Sequence, residues 1–241
     1  MSDQTSVKVP ETLEGWAVLH HIFRVRWGEW NRLGEKEQFQ ILSEAGAHLE
    51  RIARPDEGES ALFSLLGHKG DLLVLHFRRT LEQLNEAELG LRRLRLTECL
   101  EETTSYLSFL ELGLYEMTVK MDAELRQAGL KPDSPAWKAA WKERMDNEAK
   151  RMRERLYMPI PRDRYLCFYP MNKRRGEHKN WYGVPIEERQ QMMREHGSVG
   201  RRYAGRVQQI ITGSIGFDDW EWGVYLFAPD PIVFKKLGYE M

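Results

Sequence analysis

The stretch from Tyr165 to Gln209 concentrates the residues whose types could do chemistry. It opens on an apolar run, Tyr165 to Tyr169, and turns basic at Lys173, Arg174 and Arg175. A helix is predicted from Pro185 to His196, with Glu187 and Glu188 in its first turn and Gly197 just past its end. Met192 and Met193 precede His196 by four and three residues, so all three share one helix face. A histidine beside soft apolar side chains, with a tyrosine and several cations close in sequence, suits an anionic aromatic ligand that carries a metal. Porphyrin is the obvious case, because haem iron commonly takes a proximal histidine. A plainer reading stands beside it: a histidine in the last turn of a helix is a favourable cation at the dipole. In the same plain terms, paired methionines fill core and a basic run is a solvated face.

The elements that would position these residues follow from periodicity. Gly15 to Val25 reads as a strand rich in β-branched and aromatic residues. Its neighbours His20 and His21 face opposite sides and cannot share a metal site. Glu35 to Arg54 has helical spacing, with Phe39, Leu42, Ala45 and Leu49 on one stripe. Ala61 to Leu66 and Asp71 to Phe77 are strands joined by a tight turn at HKG, a helix follows from Thr80 to about Arg95, and Ser105 to Leu112 is a strand. This β-α-β-β-α-β order is a ferredoxin-like unit. It then repeats: a strand at Tyr165 to Tyr169, the helix at 185–196, a strand pair at Val207 to Ile215 and Trp220 to Phe227, and a helix opening near Pro231. The expected fold class is α+β, two such units with adjoining sheets and outer helices forming a dimeric α+β barrel, the second unit lacking its last strand. The expected organisation is a flexible arm over 1–12, an N-terminal unit over 13–117, a charged helical connector over 118–156 and a C-terminal unit over 157–241. In the connector, Trp137 and Trp141 fall on one face and should dock on the body of the protein.

Composition narrows the function classes. The chain has 241 residues and balances 36 basic against 37 acidic side chains, which argues against general nucleic-acid binding. The basic excess is local: from Lys150 to Lys179 there are ten Lys and Arg against three Asp and Glu. Cys99 and Cys167 make neither a disulfide framework nor a metal-ligand spacing, which suits a reduced cytoplasmic protein. No apolar run approaches the ~20 residues needed to span a bilayer. The opening MSDQTSVKVPETLEG lacks the features of a secretory signal.

The segments YPMNKRR, NWY, MREHG, GRRYAGRVQQIITGS and DDWEWGVYLF resemble the coproheme decarboxylases of the chlorite-dismutase-like superfamily, from about Leu13 to Met241. That resemblance implies peroxide-dependent oxidative decarboxylation of two propionates of Fe-coproporphyrin III (coproheme) to the vinyl groups of haem b, the last step of coproporphyrin-dependent haem synthesis. Coproheme would be both substrate and redox cofactor, with hydrogen peroxide as oxidant. His196 matches the axial iron ligand, and Gln209 the distal residue, where chlorite-degrading relatives place an arginine. Arg155 matches a propionate-binding arginine, Tyr115 a second propionate contact, and Met171 a packing contact near the reacting propionate. Tyr169 matches the tyrosine that becomes a radical, and Lys173 the lysine that assists it. Trp181 and Trp222 are expected as pocket wall or core. Relatives assemble as homopentamers, and coproporphyrin ferrochelatase would be the donor of the substrate. The family continues with a further strand bearing a propionate-binding serine, which this sequence does not supply. Two other readings therefore stand beside the first: a haem- or porphyrin-binding module without turnover, and a chlorite-dismutase-like haem peroxidase.

Overall fold

The computed structural model describes residues 9–241 apart from Pro55 and His68. Residues 1–8 of the expected arm, and His68 of the expected HKG turn, lie outside them. The strands are β1 (Thr12–Val25), β2 (Glu59–Ser64), β3 (Leu72–Arg78), β4 (Leu100–Gly113), β5 (Tyr165–Met171), β6 (Gln208–Gly213) and β7 (Trp222–Ala228). The helices are α1 (Trp27–Trp30), α2 (Glu35–Ala53), α3 (Leu81–Arg92), α4 (Tyr115–Gln127), α5 (Pro135–Arg151), α6 (Arg153–Leu156), α7 (Ile186–Arg202) and α8 (Ile232–Glu240).

The strands form one antiparallel sheet in the order β2-β3-β1-β4-β6-β7-β5. The first four positions are a complete ferredoxin-like unit, and the last three are the same unit, with no strand beside β5 among the described residues. The two halves join where Phe109 and Leu110 of β4 pair with Gly213 and Thr212 of β6. The sheet curls, because its inward faces share a single core of Val18, Leu75, Phe77, Leu110, Ile210, Tyr225 and Phe227. Phe63 of β2 reaches Phe227 of β7 across it, at 6.4 Å between ring centroids. The barrel is open between β5 and β2. The segment leading into β5 bridges this seam, with the Ile160 N–H donating to Glu59 Oε2 at 2.6 Å.

β1 is apolar on both faces because both are covered. Val18 points into the barrel, while Ala17 and Leu19 meet Leu84 of α3. That is why its sequence runs as continuous apolar residues instead of alternating. His20 and His21 do face opposite ways. His20 lies inside the barrel against Tyr225 and Phe168, and His21 outside beside Phe23 and Glu102.

Two local expectations are corrected. α2 buries Ile41, Ala45 and His48, with Ile52 and Leu49 packed alongside, whereas Phe39 is 73% and Leu42 53% exposed. The stripe that meets the sheet follows i, i+4, i+7 and i+11 from Ile41, which puts Phe39 on nearly the opposite side. The helix predicted to stop at His196 runs through Gly197 and Gly200 to Arg202. A mid-helix glycine costs about 1 kcal/mol. Val199 and the buried Tyr203 offset that cost by packing on Val224, Leu226 and Leu237. In the connector, α5 starts from a Ser134 cap, and Trp137 stacks on Trp141 at 5.9 Å. Trp137 is buried, and the Trp141 indole N–H donates to Glu11 Oε1 at 2.8 Å.

Candidate functional site

Alternation along β5 sorts its side chains into two sets. Leu166 and Phe168 enter the barrel core, while Cys167 and Met171 join the cluster under α7 and α8. Tyr169 lies between the latter two on the same outward face and is 39% exposed. Register extends the face across the sheet. Tyr169 pairs with Val224, and Val224 with Ile211. In the next row Cys167 pairs with Leu226, and Leu226 with Gln209. Tyr169 and Gln209 thus share one surface, two strands and one row apart. Burial, and then the neighbouring Cys167, push the Tyr169 phenol above its ordinary pKa, so it stays protonated at neutral pH.

α7 lies over this surface. At Gly200, a Cβ would come within 3.9 Å of the Gln209 amide oxygen and 3.5 Å of the Met241 methyl. His196 sits one turn before Gly200, in mid-helix and not in the last turn, which removes the dipole argument for a charged imidazole. Partial burial of an otherwise open side chain, and then the Lys173 ammonium, hold its pKa below the ordinary value. His196 is therefore a neutral imidazole, the form that can donate a lone pair to a metal.

Lys173 lies just past the end of β5, and its position is fixed by a carboxylate. Its backbone N–H donates to Glu221 Oε2 at 2.8 Å. The Arg175 guanidinium donates to Glu221 Oε1 through Nε at 2.8 Å and Nη2 at 2.6 Å, and it also lies 3.8 Å from the centre of the Tyr182 ring. Asn172 Oδ1 accepts from the Glu221 N–H at 2.8 Å. The Lys173 ammonium stands 4.6 Å over Trp181, which also meets Tyr115 edge-on at 6.2 Å. Burial lowers the Lys173 pKa, and Glu221 opposes the shift. Burial also raises the Tyr115 phenol.

Arg155 is projected outward from α6 because its neighbour Leu156 is buried in the barrel core, against the glycine backbone of Gly15. A cleft of about 150 Å³ brings Arg155 and Met158 together with Gln209, Ile211, Leu110 and Glu111. Trp222 lies at the rim of the same face, its indole N–H donating to Glu111 Oε1 at 3.2 Å. Among the described residues, no group of three or more His, Cys, Asp or Glu is placed to hold a bare metal ion.

The structure therefore joins Arg155 to Gln209, and Tyr115 and Lys173 to Trp181 and His196, with Tyr169 and Met171 on the sheet face between α7 and the barrel. Of the basic residues singled out in the sequence, Arg175 is engaged by Glu221, and Arg155, Lys173 and Arg174 are the candidates for meeting an anionic ligand. The donor set fits an iron porphyrin in kind: one neutral histidine, an apolar strip and flanking cations. In volume the cleft admits only an edge, since ligand pockets usually span 300–1,000 Å³. Sequence reasoning missed Glu221 and Glu111. Each is a carboxylate flanked by aromatic or apolar residues, WEW at the entry to β7 and FLEL within β4, and that mismatch is the available signal.

The chain is similar to proteins named coproheme decarboxylase. The one from Staphylococcus carnosus (strain TM300) is 42% identical over 96% of this chain and 85% of its own length. The one from Staphylococcus saprophyticus subsp. saprophyticus is 38% identical over 97% of this chain and 86% of its own. A solved structure described as a novel heme-binding protein from Thermus thermophilus superposes with a TM-score of 0.78 at 36% identity, covering 96% of this chain and 86% of that one. The chlorite dismutase family pattern matches residues 38–241, and the chain belongs to that family.

Proposed function

We propose that this chain decarboxylates two propionates of ferric coproheme to vinyl groups, using hydrogen peroxide, as the final step of a haem synthesis route in the cytoplasm. The observation that carries the reading is Tyr169: a protonated, half-exposed phenol on the sheet face it shares with Gln209, with Lys173 and His196 at its edge. The similarity to two proteins named coproheme decarboxylase supports it.

Ferric coproheme with peroxide supplies the oxidising equivalents, and the chain supplies position and protons. His196 holds the metal from α7. Arg155, whose fork suits a carboxylate, takes one propionate; Lys173 and Tyr115, joined through Trp181, take others. Met171 and Ile211 line the apolar strip between them. For each propionate, one peroxide takes up two electrons and two protons and becomes two waters, while the side chain loses a β-hydrogen and its carboxyl as CO2. Tyr169 gives up its phenolic hydrogen as an electron and a proton and recovers a hydrogen atom from the β-carbon. Lys173, with its lowered pKa, is suited to hold the reacting carboxylate and move a proton.

Gln209 weighs against chlorite chemistry, because an uncharged amide cannot stabilise an oxychlorine anion as a guanidinium does. Exposed Phe39 and Leu42 support assembly into a homo-oligomer, for which we take a pentamer. Coproporphyrin ferrochelatase is the proposed donor of the substrate. The test is product mass: peroxide added to the coproheme complex should give a three-propionate species and then haem b. Bleaching of the porphyrin without loss of mass as CO2 would contradict the proposal.

A further inference from the structure

Hydrogen peroxide must lose a proton before it is an effective nucleophile, and Gln209 has no basic atom to take one. Among the described residues, Glu111 is the only acidic side chain lining the cleft that holds Gln209 and Arg155. It is half-buried on β4, on the outward face, and beside Gly213 of β6. A Cβ at Gly213 would overlap the Glu111 carboxylate, so the absence of a side chain there is what lets the carboxylate sit over the β4–β6 junction. Oε1 accepts from the Trp222 indole N–H at 3.2 Å, which fixes the orientation of the group. On the far side, β1 places Glu14 directly across from Glu111 in register. The groups around it are Glu14 from β1, Tyr106 of β4 itself, Tyr115 from α4, Trp222 from β7 and Gly213 from β6, with Gln209 and Arg155 lining the same cleft.

We propose that Glu111 is the proton acceptor for peroxide in this cleft, an inference that rests on the peroxide-dependent reading above. Its carboxylate takes one proton from HOOH to give the carboxylic acid and HOO⁻, with no change in oxidation state. The buried carboxyl then holds that proton beside the site until water forms. The surroundings suit the role. Burial, and secondarily Glu14, raise the Glu111 pKa, and the Trp222 hydrogen bond only partly opposes them. A carboxyl moved toward neutrality exchanges protons more readily than one held strongly ionised.

Glu111→Gln keeps the shape and the acceptor for Trp222 while removing the basic site. The ferric coproheme complex of this variant should bind coproheme with parental affinity and consume hydrogen peroxide about 100-fold more slowly. The parental rate should rise with pH through the Glu111 titration, and the variant should lose that limb. A peracid, which ionises unaided near neutral pH, should restore most of the rate. A separate measurement needs no porphyrin: carboxyl carbon NMR of the free protein should place the Glu111 pKa above the ordinary glutamate range. A parental peroxide rate in the variant, an equal loss with the peracid, or an ordinary Glu111 pKa would each overturn the assignment to Glu111 while leaving the decarboxylase reading standing. A parent complex that consumes no peroxide would overturn both.

Discussion

Acid should destabilise this fold through its buried histidines, and the size of the effect can be worked from two of them. His20 is fully buried in the barrel, stacked on Tyr225 at 4.7 Å and within 3.0 Å of its hydroxyl. His76 of β3 lies buried on the opposite face of the sheet, its Nδ1 2.8 Å from the Ser60 hydroxyl. Burial lowers each pKa to about 3; for His20 a protonated His76 would add to the shift, and for His76 the Arg78 guanidinium adds first. The folded state therefore keeps both neutral while the unfolded chain protonates them near pH 6.5. The unfolded state binds more protons between pH 6.5 and 3, so stability falls as the pH drops through that window. Going from pH 7 to pH 5, each histidine costs about 2 kcal/mol and the pair about 4 kcal/mol. His48 and His196 are shifted in the same direction and add to the loss. A net stability of about 5–15 kcal/mol makes such a change easy to see. Urea unfolding at fixed pH values measures it, and the interval from pH 6.5 to 5 lies above the ordinary carboxylate range. A stability that stays flat across that interval would refute the reasoning.

Further outcomes follow from the site. Lys173→Ala removes the cation that helps depress His196, so the His196 pKa should rise in the free protein, as read from the imidazole proton shifts. His196→Ala should abolish the absorption spectrum of a histidine-ligated ferric porphyrin; an unchanged spectrum would assign the ligand elsewhere. Gly213→Ala should destabilise the chain by about 1–3 kcal/mol in urea unfolding, because the added methyl must displace the Glu111 carboxylate.

Much of this was legible in the sequence. β1, β3, β5 and β7 carry apolar and aromatic runs, and the repeated order of elements gave the pairing of two ferredoxin-like units. The end of α7 was not legible, because Gly197 is a local stop signal that only Val199 and Tyr203, packing on β7 and α8, override. The exposed side of α2 was misjudged for a similar reason: Phe39 and Leu42 are as apolar as the buried Ile41, and only the position of the sheet distinguishes them. For the site, period two placed Tyr169 and Met171 on one face, and resemblance singled out Gln209, Lys173 and His196. What holds them was hidden in long-range pairings. Glu221 reaches Lys173 and Arg175 across 48 and 46 residues, and Trp222 reaches Glu111 across 111.

The role of Tyr169 is the centre of the account, and Tyr169→Phe tests it most directly. The ring and its packing between Cys167 and Met171 are kept, and only the hydroxyl whose hydrogen must be lost is removed. Coproheme affinity should stay near the parental value. On peroxide titration, mass spectrometry should show neither the three-propionate species nor haem b. Formation of haem b at the parental rate by this variant would contradict the account and make Tyr169 a wall of the pocket.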